Sequence, residues 1–276
     1  MRTKDFEIKI DMSILDKIVI IIVNLAIIIV AGFGSAVILA SSKEYYHRQF
    51  EENGIYAKIN DKGETDIRPI CFVSGNSKLI GYFTDKQLNF IVDHITDFLF
   101  GGTESFELYM DDANLNGEVT DNVKVFGDRA ISHMNDVRAL MRFGRGASIL
   151  CLILLPFLIA YIIWRRRECS DVLLKYTVIF FGALLLLLLV MCVFSLARGG
   201  NFLSSFWETA HHLFFPFQPD KVAGSFFNDA LTMILTPELF MDAVAIVLLS
   251  LATALALWFG GIYFLHKKYY KTEKCL

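Results

Sequence analysis

Cysteines are few in this sequence and lie far apart. The chain of 276 residues contains five of them, none in a C-x-x-C pair, and only Cys71 falls within the large polar segment. Disulfide frameworks and structural zinc sites need clustered cysteines at characteristic spacings. The cysteine pattern therefore indicates neither kind of site.

A strong charge of one sign and the common catalytic motifs are also missing. The formal net charge is -3 and the isoelectric point lies near 6.1, so no basic surface for nucleic acid is predicted. The chain lacks the GxSxG, Walker and HExxH sequences. Because the usual serine hydrolases, nucleoside triphosphatases and zinc metalloproteases are built around those motifs, these three classes are not indicated.

Long apolar runs are what the sequence does contain. Hydrophobic residues make up 55% of the chain, charged residues only 20%, and the mean hydropathy is +0.49. A helix needs about 20 apolar residues to cross the hydrocarbon core of a bilayer. Four runs meet or approach that length, and they predict transmembrane helices over residues 18–40, 147–164, 176–197 and 243–265.

The distribution of lysine and arginine predicts the orientation of these helices. Basic residues crowd both ends of the chain and the short connection between the second and third runs, whereas the next connection contains only Arg198 and Lys221. By the positive-inside rule, both termini are cytoplasmic. The predicted fold class is therefore an α-helical integral membrane protein with four transmembrane helices and a small extracytoplasmic α+β head. Outside the four runs, the predicted order is a cytoplasmic N-terminus (1–17), an outer head (41–132), an interfacial helix (133–146), a cytoplasmic loop (165–175), an aromatic-rich outer loop (198–242) and a cytoplasmic tail (266–276).

The outer head contains the signals of an amphipathic helix. Thr84 and Gln87 form a capping-box pattern at its start, and Gly101-Gly102 marks its end. Between these signals the apolar residues recur at the spacing of one helical face. The predicted buried face consists of Leu88, Ile91, Ile95, Phe98 and Leu99.

Strand patterns flank this helix. Residues 55–59 and 70–73 precede it with the composition of strands. After it, apolar residues alternate over residues 106–110 and again over residues 123–125, on either side of Asn116-Gly117. This arrangement predicts a β-hairpin with a loop longer than two residues.

The stretch that leads into the second apolar run has the features of a reactive site. His133 and Asp136 are three residues apart, so they share a face on a helix, where the carboxylate would fix the imidazole tautomer. Arg138, Arg142 and Arg145 form a stripe suited to lipid phosphates. For the arginines alone, an interfacial anchor without chemistry is the simpler interpretation.

A second stretch of interest lies between the third and fourth runs. His211 and His212 stand in a segment rich in aromatic residues, a composition typical of membrane interfaces. Because both outer segments face the same side of the membrane, histidines from two distant parts of the chain meet one surface. Asp229 and Glu238 either line a site or cap helices. The remaining histidines are expected to be surface or packing residues: His47, His94 and His266.

Taken together, the two stretches resemble a known family. The motif His-Met-x-Asp-Val at residues 133–137 is followed by His-x-x-Phe-Phe at residues 211–215, a combination similar to the lipoprotein intramolecular transacylase family, Lit. The later segments Asp-x-Leu at residues 229–231 and Pro-Glu-x-Phe at residues 237–240 also fit that family's pattern. The resemblance extends to the order of the four spans.

The resemblance implies an acyl shift on bacterial lipoproteins whose N-terminal cysteine carries a thioether-linked diacylglycerol. The sn-2 acyl chain would move from the glycerol oxygen to the cysteine α-amine and give a lyso-form lipoprotein. It also implies that His133 and His211 are the catalytic residues. His211 is preferred over His212 because of its spacing to Phe214-Phe215.

The chemistry of the neighbouring residues suggests supporting roles for them. Asp136 is expected to orient His133, and the expected substrate contacts are Asn135, Arg138, Phe214 and Phe215. The reaction requires no metal and no cofactor. Its partners would be diacylglyceryl lipoproteins in the outer leaflet and membrane lipids, which places the active site at the extracytoplasmic face of a bacterial cytoplasmic membrane.

Two other classes of function are compatible with the same residues. His133, Asp136, His211 and His212 would also suit a zinc site in a membrane hydrolase. Alternatively, the outer head would bind a ligand or a lipoprotein in a sensor or assembly protein without catalysis. Metal content separates the first alternative from a transacylase, and histidine variants separate the second.

Overall fold

The computed structural model describes most of the chain as helices and short strands. The described residues are 14–56, 58–59, 65–66, 70–74, 77–164, 166–197 and 229–273. They form two compact units, which we call the bundle unit and the head unit. The bundle unit comprises Met1–Phe33, Ala147–Leu188 and Leu248–Leu276, and the head unit comprises Gly34–Gly146 and Leu189–Val247.

Long apolar helices supply the bundle unit. Among the described residues, three helical segments are long and apolar enough to cross a membrane, and the first, second and fourth predicted spans fall inside them. These segments are Ile14–Ser41, Asp128–Trp164 and Glu238–Leu265. The elements that contain them are α1 (Ile14–Ile29), a π-helical turn (Val30–Gly34), α2 (Ser35–Ser41), α5 (Asp128–Trp164) and α8 (Pro237–Glu273).

The third predicted span lies in helix α6, which covers Arg166–Ala197. Within the described residues, its apolar helical stretch, Leu173–Leu187, is shorter than the other three candidates. The structure therefore supports three spans by length and composition. The third predicted span, and with it the total of four, stays a prediction, as does the orientation of the head.

Helix α5 joins two segments that the sequence pattern predicts as separate elements. It begins at Asp128 and continues without interruption to Trp164. The predicted interfacial helix and the second predicted span are thus parts of one element.

Polar contacts accompany the apolar core of the bundle unit. The buried amide of Asn24 on α1 accepts hydrogen bonds at Oδ1 from Thr177 Oγ1 of α6 and from Trp258 Nε1 of α8, both at 3.2 Å. Tyr161 of α5 donates to Asp16 Oδ1 of α1 at 2.7 Å. Helix α1 is therefore hydrogen-bonded to each of the other three long helices. The apolar core around these contacts contains Val19, Ile20, Val23, Ile27, Ile162, Leu173 and Ile262.

The head unit combines helices with short antiparallel strands. Strands β3, β4, β6 and β7 form a four-stranded sheet in that order, and β1–β2 and β5–β8 form two-stranded pairs. The helices are α2, α3 (Lys43–Glu52), α4 (Asp85–Phe100) and α7 (Ala230–Ile234), together with the beginnings of α5 and α8 and the end of α6. The strands are β1 (Lys58–Ile59), β2 (Thr65–Asp66), β3 (Ile70–Ser74), β4 (Ser77–Tyr82), β5 (Tyr109–Met110), β6 (Ala113–Leu115), β7 (Glu118–Thr120) and β8 (Val123–Lys124).

Helix α4 confirms the prediction made from its caps. Thr84 Oγ1 accepts from Gln87 N, and the Gln87 side chain accepts from Thr84 N, which completes the capping box. Gly101 ends the helix with φ 99°, a left-handed conformation that favours glycine. All five residues of the predicted apolar face are buried.

The predicted hairpin is also confirmed, and it contains a second one. Met110 of β5 pairs with Val123 of β8 across a long connection. Within that connection, Asn116 and Gly117 have φ angles of 53° and 91° and join β6 to β7 in a two-residue turn. Sequence reasoning missed this inner hairpin and the pairing of β6 with β4, because strands of three residues carry little periodic signal.

The second predicted outer loop contributes to the core of the head unit. Leu231 and Ile234 of α7 and Leu239 of α8 are buried in the same apolar cluster as the α4 face. Tyr45 of α3 donates a hydrogen bond to the Leu239 carbonyl at 2.6 Å. The end of this loop is therefore an integral part of the folded head.

Candidate active site

The N-terminal part of α5 carries the first predicted catalytic residue. The Gly127 carbonyl accepts a hydrogen bond from Ile131 N at 3.0 Å, so the helix is established well before His133. His133 and Asp136 lie one turn apart and both are partly buried, which confirms the predicted helix through them. Their Nδ1 and Oδ2 atoms are shielded from solvent, so the exposed area of each residue comes from its other atoms. The orienting role of Asp136 stays a prediction.

Arg138, a predicted substrate contact, donates hydrogen bonds to backbone carbonyls within the head unit. Its Nη1 donates to the Glu104 carbonyl at 3.0 Å and its Nη2 to the Thr103 carbonyl at 2.8 Å. The guanidinium also lies 4.5 Å from the ring centroid of Phe98 on α4. Arg138 therefore attaches α5 to the segment that follows α4, and its role as a substrate contact stays a prediction.

Asn135, the other predicted contact on this helix, is exposed. Its Nδ2 donates to the Ile131 carbonyl at 3.0 Å, one turn back along α5. The amide retains a second N–H donor and an acceptor oxygen. Its role as a substrate contact stays a prediction.

Asp229 joins the second outer loop to the beginning of α5. Its Oδ1 accepts from Leu231 N at 2.9 Å and thereby caps α7, and its Oδ2 accepts from Gly127 N at 3.0 Å. The side chain is buried, and desolvation raises its pKa although the two backbone hydrogen bonds oppose the shift. Of the two expectations for Asp229, the structure shows the cap. The bond to Gly127 joins residues 102 positions apart and has no sequence signal.

Glu238 and Thr236 stand at the start of α8. Glu238 is exposed in the first turn of that helix, where a carboxylate interacts favourably with the helix dipole. The Thr236 hydroxyl is buried and has no hydrogen-bond partner among the described residues.

Aromatic packing supports the start of α5. Phe126, which precedes Gly127, is fully buried and stacks on Phe106 with a centroid distance of 4.5 Å. His94 of α4 hydrogen-bonds through Nε2 to the Phe106 carbonyl at 3.2 Å, and burial lowers its pKa. The expectation that His94 is a packing residue is confirmed.

The other half of the predicted site lies outside the described residues. This applies to His211, His212, Phe214 and Phe215. The structure thus brings the His133 segment together with Asp229, which follows His211 in the sequence. Of the two predicted catalytic histidines, His133 lies within the described residues and His211 lies outside them. Among the described residues, no group of three metal-ligating side chains occurs. The zinc alternative includes His211 and His212 and is therefore decided by metal analysis.

Solved structures with a similar fold are membrane enzymes. The in meso structure of the membrane integral lipoprotein intramolecular transacylase Lit from Bacillus cereus matches with a TM-score of 0.57 and 16% identity, covering 93% of this chain and 98% of that one. Variants of the same protein with one histidine replaced by arginine or by alanine match with TM-scores of 0.54 and 0.55 at 15% identity. These matches cover 94% and 93% of this chain and 95% and 96% of the variants. At this level of identity the likeness establishes the fold.

Sequence comparison identifies the family. No curated protein sequence matches the chain. The sequence profile described as lipoprotein intramolecular transacylase Lit matches residues 18–220, a range that includes His133 and His211. The protein is thus a membrane-embedded acyltransferase, and its chain belongs to the lipoprotein intramolecular transacylase family, Lit.

Proposed function

We propose that this protein moves the sn-2 acyl chain of a diacylglyceryl lipoprotein to the α-amine of the same N-terminal cysteine. The product is a lyso-form lipoprotein with a free hydroxyl at the sn-2 position. The observation that carries this proposal is the family match over residues 18–220, which spans both histidine motifs. The partly buried His133 near the start of α5 is compatible with the proposal.

The chemistry needs proton transfers at two atoms, the attacking nitrogen and the leaving oxygen. A free α-amine has a pKa of about 7.7 to 8.0 and is mostly protonated at neutral pH, so a base must first remove a proton. The amine nitrogen then attacks the ester carbonyl, the new C–N bond forms, and the C–O bond to the glycerol breaks. The nitrogen loses a second proton as the amide forms, and the departing alkoxide takes up one, so atoms and charges balance without a hydrolytic water and one proton is released overall.

Two histidines are suited to this exchange of protons. Imidazole has a pKa near 6.5 and can accept or donate a proton close to neutral pH. We assign proton removal from the ammonium to His211 and protonation of the leaving oxygen to His133, oriented by Asp136. The reverse assignment satisfies the same proton balance, and solvent isotope effects on the two single-histidine variants would distinguish them.

The reaction is intramolecular, so orientation is the main contribution of the protein. Attack by the amine on the ester of its own glyceryl group closes a ring of about eight atoms. Holding the flexible glyceryl arm in that conformation replaces an entropic barrier with binding energy. A rigid surface beside His133 is therefore as important as the histidines themselves.

The proposed membrane arrangement has four spans with both termini in the cytoplasm and the active site at the outer face. Helix α6 is included as the third span because Thr177 joins it to Asn24 of α1. Its leucines Leu185 and Leu186 are 71% and 60% exposed, which suits contact with lipid. The lipoprotein substrate would then reach the site from the outer leaflet of a bacterial cytoplasmic membrane.

The test is to locate the acyl chain on a model lipoprotein. The protein is expressed in bacteria that lack other N-acylating enzymes, and the N-terminal lipopeptide is fragmented by mass spectrometry, because substrate and product have the same mass. We expect the acyl chain on the α-amine with the unmodified protein and at least about 100-fold less product with His133→Gln or His211→Gln.

A matched histidine variant controls for expression and folding. His47→Gln changes a histidine of α3 in the head unit that has no assigned role, and it should leave product formation intact. A free amine despite stably inserted protein would refute the proposal. Stoichiometric zinc that is lost in His133→Ala would instead favour the metal-dependent hydrolase.

A further inference from the structure

We propose that Asp229 is a positioning residue for the transacylation: it holds the segment of α5 that carries His133 in a fixed orientation against the end of the second outer loop. This inference rests on the proposed function and deepens it. It concerns a residue that does not contact the reacting atoms.

The geometry of Asp229 is that of a link between two chain segments. One carboxylate oxygen accepts from Leu231 N at 2.9 Å and the other from Gly127 N at 3.0 Å. Such hydrogen bonds from backbone N–H groups to a carboxylate are stronger than those between neutral groups. The side chain is only 6% exposed, so water competes little for either bond. One buried carboxylate thus joins the start of α7 to the start of α5.

The link acts on the helix that carries His133. Gly127 directly precedes α5, and its carbonyl begins the hydrogen-bond pattern of that helix. His133 lies six residues further on, which is about 9 Å along a helix at 1.5 Å per residue. Because a helix transmits a rotation at its end along its length, a shift at Gly127 would displace the imidazole.

Ring stacking and further hydrogen bonds among the described residues join the same segment to the first outer segment. Phe126 stacks on Phe106, and Arg138 donates to the Thr103 and Glu104 carbonyls. Asp229 differs because it belongs to the loop in which His211 lies, 18 positions earlier in the sequence. Its bond to Gly127 therefore connects the two parts of the chain that bear the predicted catalytic residues.

The experiment removes one of the two bonds. Asp229→Asn has a single acceptor oxygen in its amide, so it can serve only one of the two N–H groups. In Asp229→Ser the hydroxyl can cap α7 but is too short to span both partners, which gives a second variant should the first fold poorly. Rates are measured with a synthetic diacylglyceryl-cysteinyl peptide in phospholipid vesicles.

We expect kcat to fall about 10- to 100-fold in both variants, with KM within about twofold of the unmodified protein, because orientation affects the transition state more than binding. Hydrogen exchange of the peptide around Gly127 should become faster. Thr84→Ala is the matched control, since it removes a helix cap in the same unit without touching α5. It should lower the melting temperature to a similar extent and leave kcat unchanged.

The outcomes separate the two proposals. Unchanged kcat in Asp229→Asn and Asp229→Ser, beside an active unmodified protein, would overturn the positioning role alone. An equal loss of kcat in Thr84→Ala would also overturn it, because general destabilisation would then explain the effect. An unmodified protein that is folded but inactive on this lipopeptide would refute the proposed function, and the positioning role with it.

Discussion

Single residues in the head unit show that charge and burial are used for packing as well as for chemistry. The guanidinium of Arg138 has a planar set of donors that reaches two carbonyls and stacks on Phe98, which a lysine at this position would not reproduce. Asp229 uses both carboxylate oxygens in a similar way. In the sequence, Arg138 and Asp229 have the composition of ligand-binding groups. Their hydrogen bonds to backbone groups in the structure show that both also stabilise the fold.

His94 gives a pH-dependent prediction at the same scale. Burial lowers its pKa in the folded protein below the ordinary value of about 6.5, so the unfolded chain binds the proton more readily. The contribution of neutral His94 to stability is thus fully present above pH 6.5 and is lost as the pH falls through the folded pKa. Melting temperatures of the purified protein should decrease from pH 7.5 to pH 5.

His94→Gln isolates this contribution. Glutamine can still donate to the Phe106 carbonyl but does not titrate. The pH dependence of the melting temperature should therefore be weaker in this variant. Identical slopes in the two proteins would show that other groups cause the effect.

At the scale of elements, glycine has opposite effects on stability in a hairpin turn and in a helix. Gly117 has φ 91°, in the turn between β6 and β7, whereas Gly146 lies within α5. An added Cβ would have open space at both positions. The effect of an added methyl group on stability therefore depends on the backbone conformation at each position.

Gly117→Ala and Gly146→Ala form a matched pair. The first should reduce the free energy of unfolding by about 1 kcal/mol, because alanine is strained at positive φ. The second should increase it by up to about 1 kcal/mol, because alanine is the better helix former. Thermal unfolding in detergent measures both, and a change of the same sign in the two variants would contradict the assigned conformations.

At the scale of the whole molecule, a polar contact helps assemble the membrane helices. Asn24 accepts hydrogen bonds from α6 and α8, and apolar packing surrounds this contact. Apolar packing between helices gains little from the hydrophobic effect in lipid, so hydrogen bonds and close packing determine which helices associate.

Asn24→Leu should weaken this assembly. It removes the acceptor for Thr177 and Trp258 and should cost about 1 kcal/mol, the usual range for interhelical hydrogen bonds in membranes. Leu25→Ala is the control, because Leu25 on the same helix is 42% exposed. Thermal unfolding of both variants in detergent provides the comparison, and an equal effect would argue against the hydrogen-bonded assembly.

Several features of this protein were predictable because they depend on residues close together in the sequence. The capping box at Thr84, the left-handed Gly101, the Asn116-Gly117 turn and the apolar helices all arise from local conformational preferences and hydropathy. The His133–Asp136 helix belongs to the same group. Local signals were weakest for the strands of two or three residues, whose pairing depends on distant partners.

The sequence by itself determined the membrane class, the family motifs and the local elements, since each follows from spacing within a few turns of chain. Tertiary structure alone decided which polar groups meet. Asp229 and Gly127 are 102 positions apart, and Asn24 and Thr177 are 153 apart. The physical reason is that a buried donor or acceptor must find a partner wherever folding places one, and no local preference encodes that choice.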